Sequence, residues 1–217
     1  MGDSPNYREL GTPEARRLGE VSTGKLVVGI TGASGAIYAQ RFLRFAAKHY
    51  DEVFLILSDQ AIQVSQTELG VAPSRSEFNT KEWLGEEFAN VKLLDSRNYF
   101  TPPASGSFRH DGMVIVPCSM GTAGRIAHGI SDDLLTRSAD VCLKEGRKLI
   151  VVPREMPMSA IMLRNLTILA EAGATVLPAC PGWYGRPATL EELADTVVAR
   201  ILQNLGVEQT IVSEWMA

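Results

Sequence analysis

The chain is poor in the features that mark several large classes of protein. It has three cysteines, Cys118, Cys142 and Cys180, an odd number set in apolar segments. That argues against a disulfide-framed secreted domain and suits reduced thiols in a cytoplasmic protein. No apolar run approaches the ~20 residues that a membrane-spanning helix needs. The first stretch, MGDSPNYRELGTPEARRLGEVSTG, is polar and lacks the apolar centre of a signal peptide. Positive charge is not in excess: a net charge of -4 gives no footing for nucleic acid or an anionic membrane surface. Internal repeats, low-complexity tracts and linkers are missing too. What is there is a 217-residue chain, 45% hydrophobic, enough for one domain with a two-sided core. Residues 1–24 read as a mobile N-terminal extension and residues 25–217 as the domain.

From Lys25 onward, short β-rich runs alternate with helical patterns. Strands are expected over 26–30, 52–58, 112–119, 148–155 and 174–179. Helices are expected over 36–50, 59–69, 121–130, 132–146, 159–173 and 189–206, the last opening with a capping box from Thr189 and Glu192. Continuously apolar strands separated by helices imply an α/β three-layer sandwich with a parallel sheet covered on both faces. In such sheets ligands sit outside the carboxyl ends of the strands, so the residues just after each strand carry the information.

After the first strand comes TGASGA. Gly32 permits a sharp turn, and Ser34 offers a hydroxyl beside helix N-terminal amides, a phosphate-binding arrangement. The spacing of Gly29, Gly32 and Gly35 is neither the dinucleotide fingerprint nor a Walker loop; a tight turn with no ligand is the competing reading. The second strand ends in Ser58-Asp59. An acid there could bind an NAD ribose, but for Asp59 a helix N-cap is preferred. PCSMGT repeats the device, with Ser119, Gly121 and Thr122 opening a helix. Two hydroxyl-rich turns at neighbouring strand ends suit a phosphorylated, ring-bearing ligand such as a mononucleotide. Cys118 has no evident His/Asp partners in sequence and reads as a buried structural thiol. PREMP sets Arg154, a bidentate phosphate ligand, beside Glu155, an acid or base, at the fourth strand tip. Lys144, Tyr184 and Arg200 would complete a cationic site for a phosphate leaving group if they converge there. No metal-ligand set is visible.

These motifs together resemble the UbiX-like flavin prenyltransferases, formerly described as aromatic acid or 3-polyprenyl-4-hydroxybenzoate decarboxylases. The matching stretches are GITGASGAIYA, the ASGSF turn with DGMVIVPCSM, LLTRSADVCLKEGRKLIVVPREMP and the WYGRP loop. The similarity runs from Lys25 to about Trp215. It implies a Rossmann/flavodoxin-like fold and an enzyme that joins a dimethylallyl group from dimethylallyl phosphate to N5 and C6 of reduced FMN. The prenylated FMN would serve a partner decarboxylase, in aromatic acid breakdown or ubiquinone synthesis. By position, FMN would meet Gly32, Ala33, Ser34, Ser58, Ser119, Met120, Gly121, Thr122 and Arg154. The donor phosphate would meet Lys144, Arg154, Tyr184 and Arg200. Glu155, Lys144 and Glu68 would be catalytic, with Glu155 as the acid/base group. Trp215 would close over the substrate, and Ser105 and Gly106 of the ASGSF turn would reach a neighbouring subunit's site in a dodecamer. Neither metal nor nucleic acid nor membrane enters that reaction.

The chain departs from the family at Gly121, where many members have Lys, at the GWYGRP loop, and in its longer N-terminal arm. Two other readings are an FMN-dependent decarboxylase of the same superfamily acting on cysteine, and a non-catalytic flavin carrier. The first needs a catalytic His and a PASANT-like motif; His128 is the nearest candidate, and no such motif is present. The second has no use for a second phosphate site.

Overall fold

The computed structural model describes residues 24–212; the expectations for residues 1–23 and for Trp215 lie outside them. Six strands form one sheet in the order β3-β2-β1-β4-β5-β6. They are β1 (Lys25–Ile30), β2 (Glu52–Leu57), β3 (Val91–Leu94), β4 (Gly112–Cys118), β5 (Leu149–Pro153) and β6 (Thr175–Val176). Every neighbouring pair is parallel. The helices are α1 (Ala36–His49), α2 (Asp59–Leu69), α3 (Thr80–Leu84), α4 (Met120–Ala127), α5 (Leu134–Lys144), α6 (Ala160–Glu171) and α7 (Leu190–Leu205).

The apolar runs become strands because both faces of the sheet are covered, so successive side chains enter opposite cores. Leu26, Val28 and Ile30 pack with Phe42 and Leu43 of α1 and with Val198 and Ile201 of α7. Val27, Ile56 and Met113 pack with Leu135 and Ala139 of α5 and with Leu169 of α6. Burying each such large side chain contributes about 1.5–3 kcal/mol. This is the Rossmann/flavodoxin-like three-layer sandwich expected from the sequence, with the 3-2-1-4-5-6 strand order of the doubly wound Rossmann sheet.

Several boundaries differ. The strand β3 and the helix α3 were not expected, because each is short and set among polar residues. The fifth expected strand, 174–179, pairs only over Thr175–Val176, as the sixth strand of the sheet. Ser58, not Asp59, caps α2: Ser58 Oγ accepts Ala61 N–H at 3.1 Å, while Asp59 pairs with Arg75 at 2.8 Å. At α7 half of the capping box forms. Thr189 accepts Glu192 N–H, but Glu192 accepts from Ala188 rather than Thr189. The reciprocal box belongs to Asp133 and Thr136 at α5. The Gly24 carbonyl accepts Asp51 N–H at 3.0 Å, just before β1.

Most helices are capped by the residue that precedes them: Ser58, Asn79, Ser119, Asp133, Ser159 and Thr189. In α1 the N-cap is Gly35, which has no side chain to offer. Among the described residues no helix is long and apolar enough to cross a membrane.

Candidate active site

Strand order reverses around β1, whose neighbours are β2 on one side and β4 on the other. A crevice opens at such a point outside the carboxyl ends. The two turns that flank it are tied together. Thr31 Oγ1 donates to Pro117 O at 2.9 Å and accepts Ser119 N–H at 2.7 Å. Arg154 N–H reaches Cys118 O at 3.3 Å, and Arg154 Nε donates to Ser34 O at 2.9 Å. Gly32, Ala33, Ser34, Ser119 and Arg154 therefore share one rim, as the sequence suggested.

Glycine is required twice in the first turn. A Cβ on Gly32 would overlap Gln60 Cβ at the start of α2. Gly35 has φ +111°, and a Cβ there would stand 2.7 Å from the ring of Tyr38.

The amides at the start of α1 are not open. Glu68, from the last turn of α2, accepts Gly35 N–H at 2.9 Å and Ala36 N–H at 2.8 Å. Burial alone would raise the Glu68 pKa. The Ser34 hydroxyl, the two amides and the Arg154 charge outweigh it and hold the carboxyl below its usual value. The phosphate site inferred at this helix start is thus filled by a carboxylate of the chain itself.

The start of α4 is arranged differently. Ser119 Oγ accepts Thr122 N–H at 3.3 Å and lies 3.0 Å from Thr122 Oγ1. Above them Gly121 is exposed, and a Cβ on it would meet nothing within 4 Å. The Met120 side chain is buried in the core below, at 5% exposure. Ser58 closes the far side of the rim, its N–H on Ile30 O at 3.0 Å. Cys118 is buried, and burial pushes its thiol up to about 12; it is a structural thiol, not a nucleophile.

Glu155 follows Arg154 at the β5 tip, half-buried, and its Oε1 accepts Met156 N–H at 3.0 Å. Tyr184 is exposed in the loop before α7. Arg200 points outward from α7 and holds Gln203 at 2.6 Å; its apolar neighbours Val197, Val198 and Ile201 face the core instead.

Lys144 lies at the other end of the sheet. It closes α5, just before β5, and pairs with Glu145. β5 spans five residues, about 17 Å at strand rise, between Lys144 and Arg154. The ASGSF turn sits with Lys144: Arg147 holds its Gly106 and Phe108 carbonyls, and Arg137 holds Ala104 O at 3.2 Å. So the fold gathers Ser105, Gly106 and Lys144 at the amino end and Arg154, Glu155 and Glu68 at the carboxyl end. Lys144 and Arg154 do not meet within one chain.

Two residues near the rim had no sequence signal. Tyr38 packs under Gly35, its pKa raised by burial, with Cys180 adding to the rise and Arg154 opposing it. Arg125 reaches back along α4 to Thr122 Oγ1 at 3.3 Å. His128 is accounted for structurally: its Nε2 lies 3.1 Å from Asn165 Oδ1, joining α4 to α6. No group of three or more His, Cys, Asp or Glu among the described residues is arranged to hold a metal ion.

A family profile described as Flavoprotein matches residues 14–202. Flavin prenyltransferase UbiX of Alkalihalophilus pseudofirmus is 44% identical over 190 residues, covering 88% of this chain and 95% of that protein. The crystal structure of AnUbiX (PadA1) in complex with FMN and dimethylallyl pyrophosphate superposes with a TM-score of 0.78 at 34% identity, covering 90% of this chain and 98% of that one. A dodecameric FMN-dependent UbiX-like decarboxylase from Escherichia coli O157:H7 gives a TM-score of 0.78 at 36% identity, covering 89% and 100%. Fold, strand-end motifs and similarity along almost the whole chain agree: this protein belongs to the UbiX-like flavin prenyltransferases of the Flavoprotein family.

Proposed function

We propose that this chain transfers the dimethylallyl group of dimethylallyl phosphate to reduced FMN, forming bonds at N5 and C6 and releasing phosphate. The carrying observation is the pair of tied turns at the β1 and β4 tips, joined through Thr31, Pro117 and Ser119 and bridged by Arg154. That site suits a phosphorylated flavin: the Ser58 and Ser119 hydroxyls and the first amides of α4, at Met120 and Gly121, for the phosphate and ribityl chain, and a small-residue rim at Gly32, Ala33 and Ser34 for a flat ring. The bound reduced flavin supplies the nucleophilic N5 and C6.

The protein's own groups would act as follows. As the allylic C–O bond breaks, phosphate leaves with the electron pair. Preorganised cations stabilise that growing charge without reorganising. Arg154 is fixed through Nε, which leaves its terminal nitrogens to donate to the phosphate. Tyr184 and Arg200 add donors as the resemblance implies. The second bond needs a proton added to the remaining alkene of the fragment, which creates the cation that C6 attacks, and a proton removed from C6. Glu155, at the same strand tip, with the released phosphate beside it, would deliver the first and take the second. Glu68 keeps the first turn of α1, and with it Ser34, in place.

Lys144 and the Ser105-Gly106 turn would serve the site of a neighbouring copy, because they stand at the opposite end of the sheet. Large apolar groups at the surface support assembly: Phe100 is 100% exposed, Met156 84% and Ile161 69%. The dodecamer seen for the E. coli relative is the form we propose. A separate decarboxylase as recipient of the product, and a cytoplasmic location, belong to the same reading.

Neither other reading has support of this kind. His128 is engaged with Asn165, and a carrier needs no Arg154 and Glu155 at the rim. The test is to add dimethylallyl phosphate, or the diphosphate, to the protein with reduced FMN under anaerobic conditions and follow the flavin absorption. A donor-dependent spectral change supports transfer, and its rate with each donor identifies the preferred phosphate. An unchanged spectrum with both donors counts against the proposal.

A further inference from the structure

Arg125 lies one helical turn beyond the start of α4. Its Nη1 donates to Asp132 Oδ1 at 2.5 Å and to Asp133 Oδ2 at 2.9 Å, and its Nη2 donates to Thr122 Oγ1 at 3.3 Å. Asp133 is itself fixed as the cap of α5, where its Oδ1 accepts Thr136 N–H at 2.7 Å. The guanidinium is therefore anchored on a helix start, with one nitrogen turned to the buried Thr122.

The consequence follows from counting protons. A hydroxyl has one proton to give and two positions that accept, and a guanidinium can only donate. Thr122 Oγ1 accepts from Arg125, and the near neighbour left to receive its own proton is Ser119 Oγ at 3.0 Å, so we assign the proton of that contact to Thr122. Ser119 Oγ then accepts twice, from the Thr122 hydroxyl and from the Thr122 amide. Its remaining valence is a proton aimed outward, and it can face a ligand only as a donor. An anion fits that position, and a donor group does not. The start of α1 offers no equivalent site, because Glu68 holds its amides.

We infer that Arg125 is a positioning residue which, through Thr122, locks Ser119 as a hydrogen-bond donor and so makes the crevice select a flavin that carries a phosphate. Arg125 does not touch the ligand; Asp132 and Asp133 hold it back. Without it both hydroxyls can rotate, and Ser119 can present a lone pair outward, which repels phosphate oxygens. The inference rests on the reading that this crevice binds FMN.

The experiment titrates the purified chain with FMN and with riboflavin, the same flavin without phosphate, following quenching of flavin fluorescence. Arg125→Lys keeps a cation beside Asp132 and Asp133 but replaces the guanidinium fork with one ammonium, losing the second nitrogen that reaches Thr122 while the first holds the acids. Its FMN affinity should fall about tenfold, the scale of one hydrogen bond to a charged partner, with riboflavin affinity unchanged. Thr122→Val should give the same loss, and the double variant no further loss. Arg125→Gln, shorter and neutral, carries the same expectation if the lysine variant does not fold. A wild-type FMN-to-riboflavin ratio in a folded Arg125 variant overturns the inference, as does an equal weakening of both flavins. If the wild-type chain binds neither flavin, the flavin reading falls and this inference falls with it. If the wild type prefers FMN and the variants do as well, the assignment of Arg125 alone is lost.

Discussion

The Glu68 carboxylate caps the helix that begins at Gly35, accepting its N–H at 2.9 Å and that of Ala36 at 2.8 Å. The last turn of α2 thus supplies what the first turn of α1 lacks. A carboxylate is disfavoured at the C-terminal end of its own helix and favoured at the N-terminal end of another, so α1 gains from a position that α2 alone would not favour.

Removing that cap should be felt in stability, with a defined pH dependence. Glu68→Ala is expected to cost about 1 kcal/mol at neutral pH, the range of a lost N-cap. The folded carboxyl titrates below its ordinary 4.5. Its contribution is therefore complete above pH 4.5 and is lost as the pH falls through the lower folded value. Thermal melts of wild type and variant should differ at pH 7 and converge in acid. A difference that does not change with pH would contradict this role.

Gly32→Ala should disturb the rim itself. The new Cβ overlaps Gln60 Cβ, so the start of α2, with Ser58, must move away. We expect a loss of about 1–3 kcal/mol in urea unfolding and weaker FMN binding. Unchanged FMN affinity would mean that this close approach has no part in the flavin site.

The separation of Lys144 from Arg154 predicts complementation between copies. Lys144→Ala and Arg154→Ala should each abolish turnover when expressed alone. Co-expressed, they should form mixed assemblies in which some sites draw an intact Arg154 from one copy and an intact Lys144 from another. For equal random mixing in a symmetric oligomer, about a quarter of sites are whole. Mixed protein as inactive as either parent would show that both residues must come from one chain.

Cys118 and Cys142 should resist alkylation in the native protein. Burial pushes both thiols up to about 12, and the thiolate is the reactive form. Mass spectrometry after iodoacetamide at pH 8 should find label on Cys180, which is exposed. Rapid native labelling of Cys118 would contradict its structural assignment.

Much of this was readable in the residues, for reasons that differ from place to place. The strands β1, β2, β4 and β5 announce themselves as continuous apolar runs because both faces are covered. The turns after β1 and β4 stand out because small and hydroxyl-bearing residues replace those runs abruptly. β3 was hidden: it has four residues, and Lys92 interrupts it to pair with Glu52 on β2. Arg125 looks like any charge in a helix until Asp132 and Asp133 return beside it. Glu68 carries a signal of its own, an acid in the last turn of a helix, where the dipole disfavours it. For Lys144 the chain order was informative. A group at the end of a helix in a parallel α/β unit precedes the next strand, so it belongs to the amino end of the sheet.

The most direct test is the mass of the flavin. The protein is incubated anaerobically with reduced FMN and dimethylallyl phosphate, and the extracted flavin is examined by mass spectrometry beside that from Glu155→Gln. The account predicts FMN heavier by one isoprenyl unit with the wild type and little or none with the variant. Unmodified FMN recovered from a wild-type protein that binds it would contradict prenyl transfer from this donor, and equal product from both proteins would remove Glu155 from the chemistry.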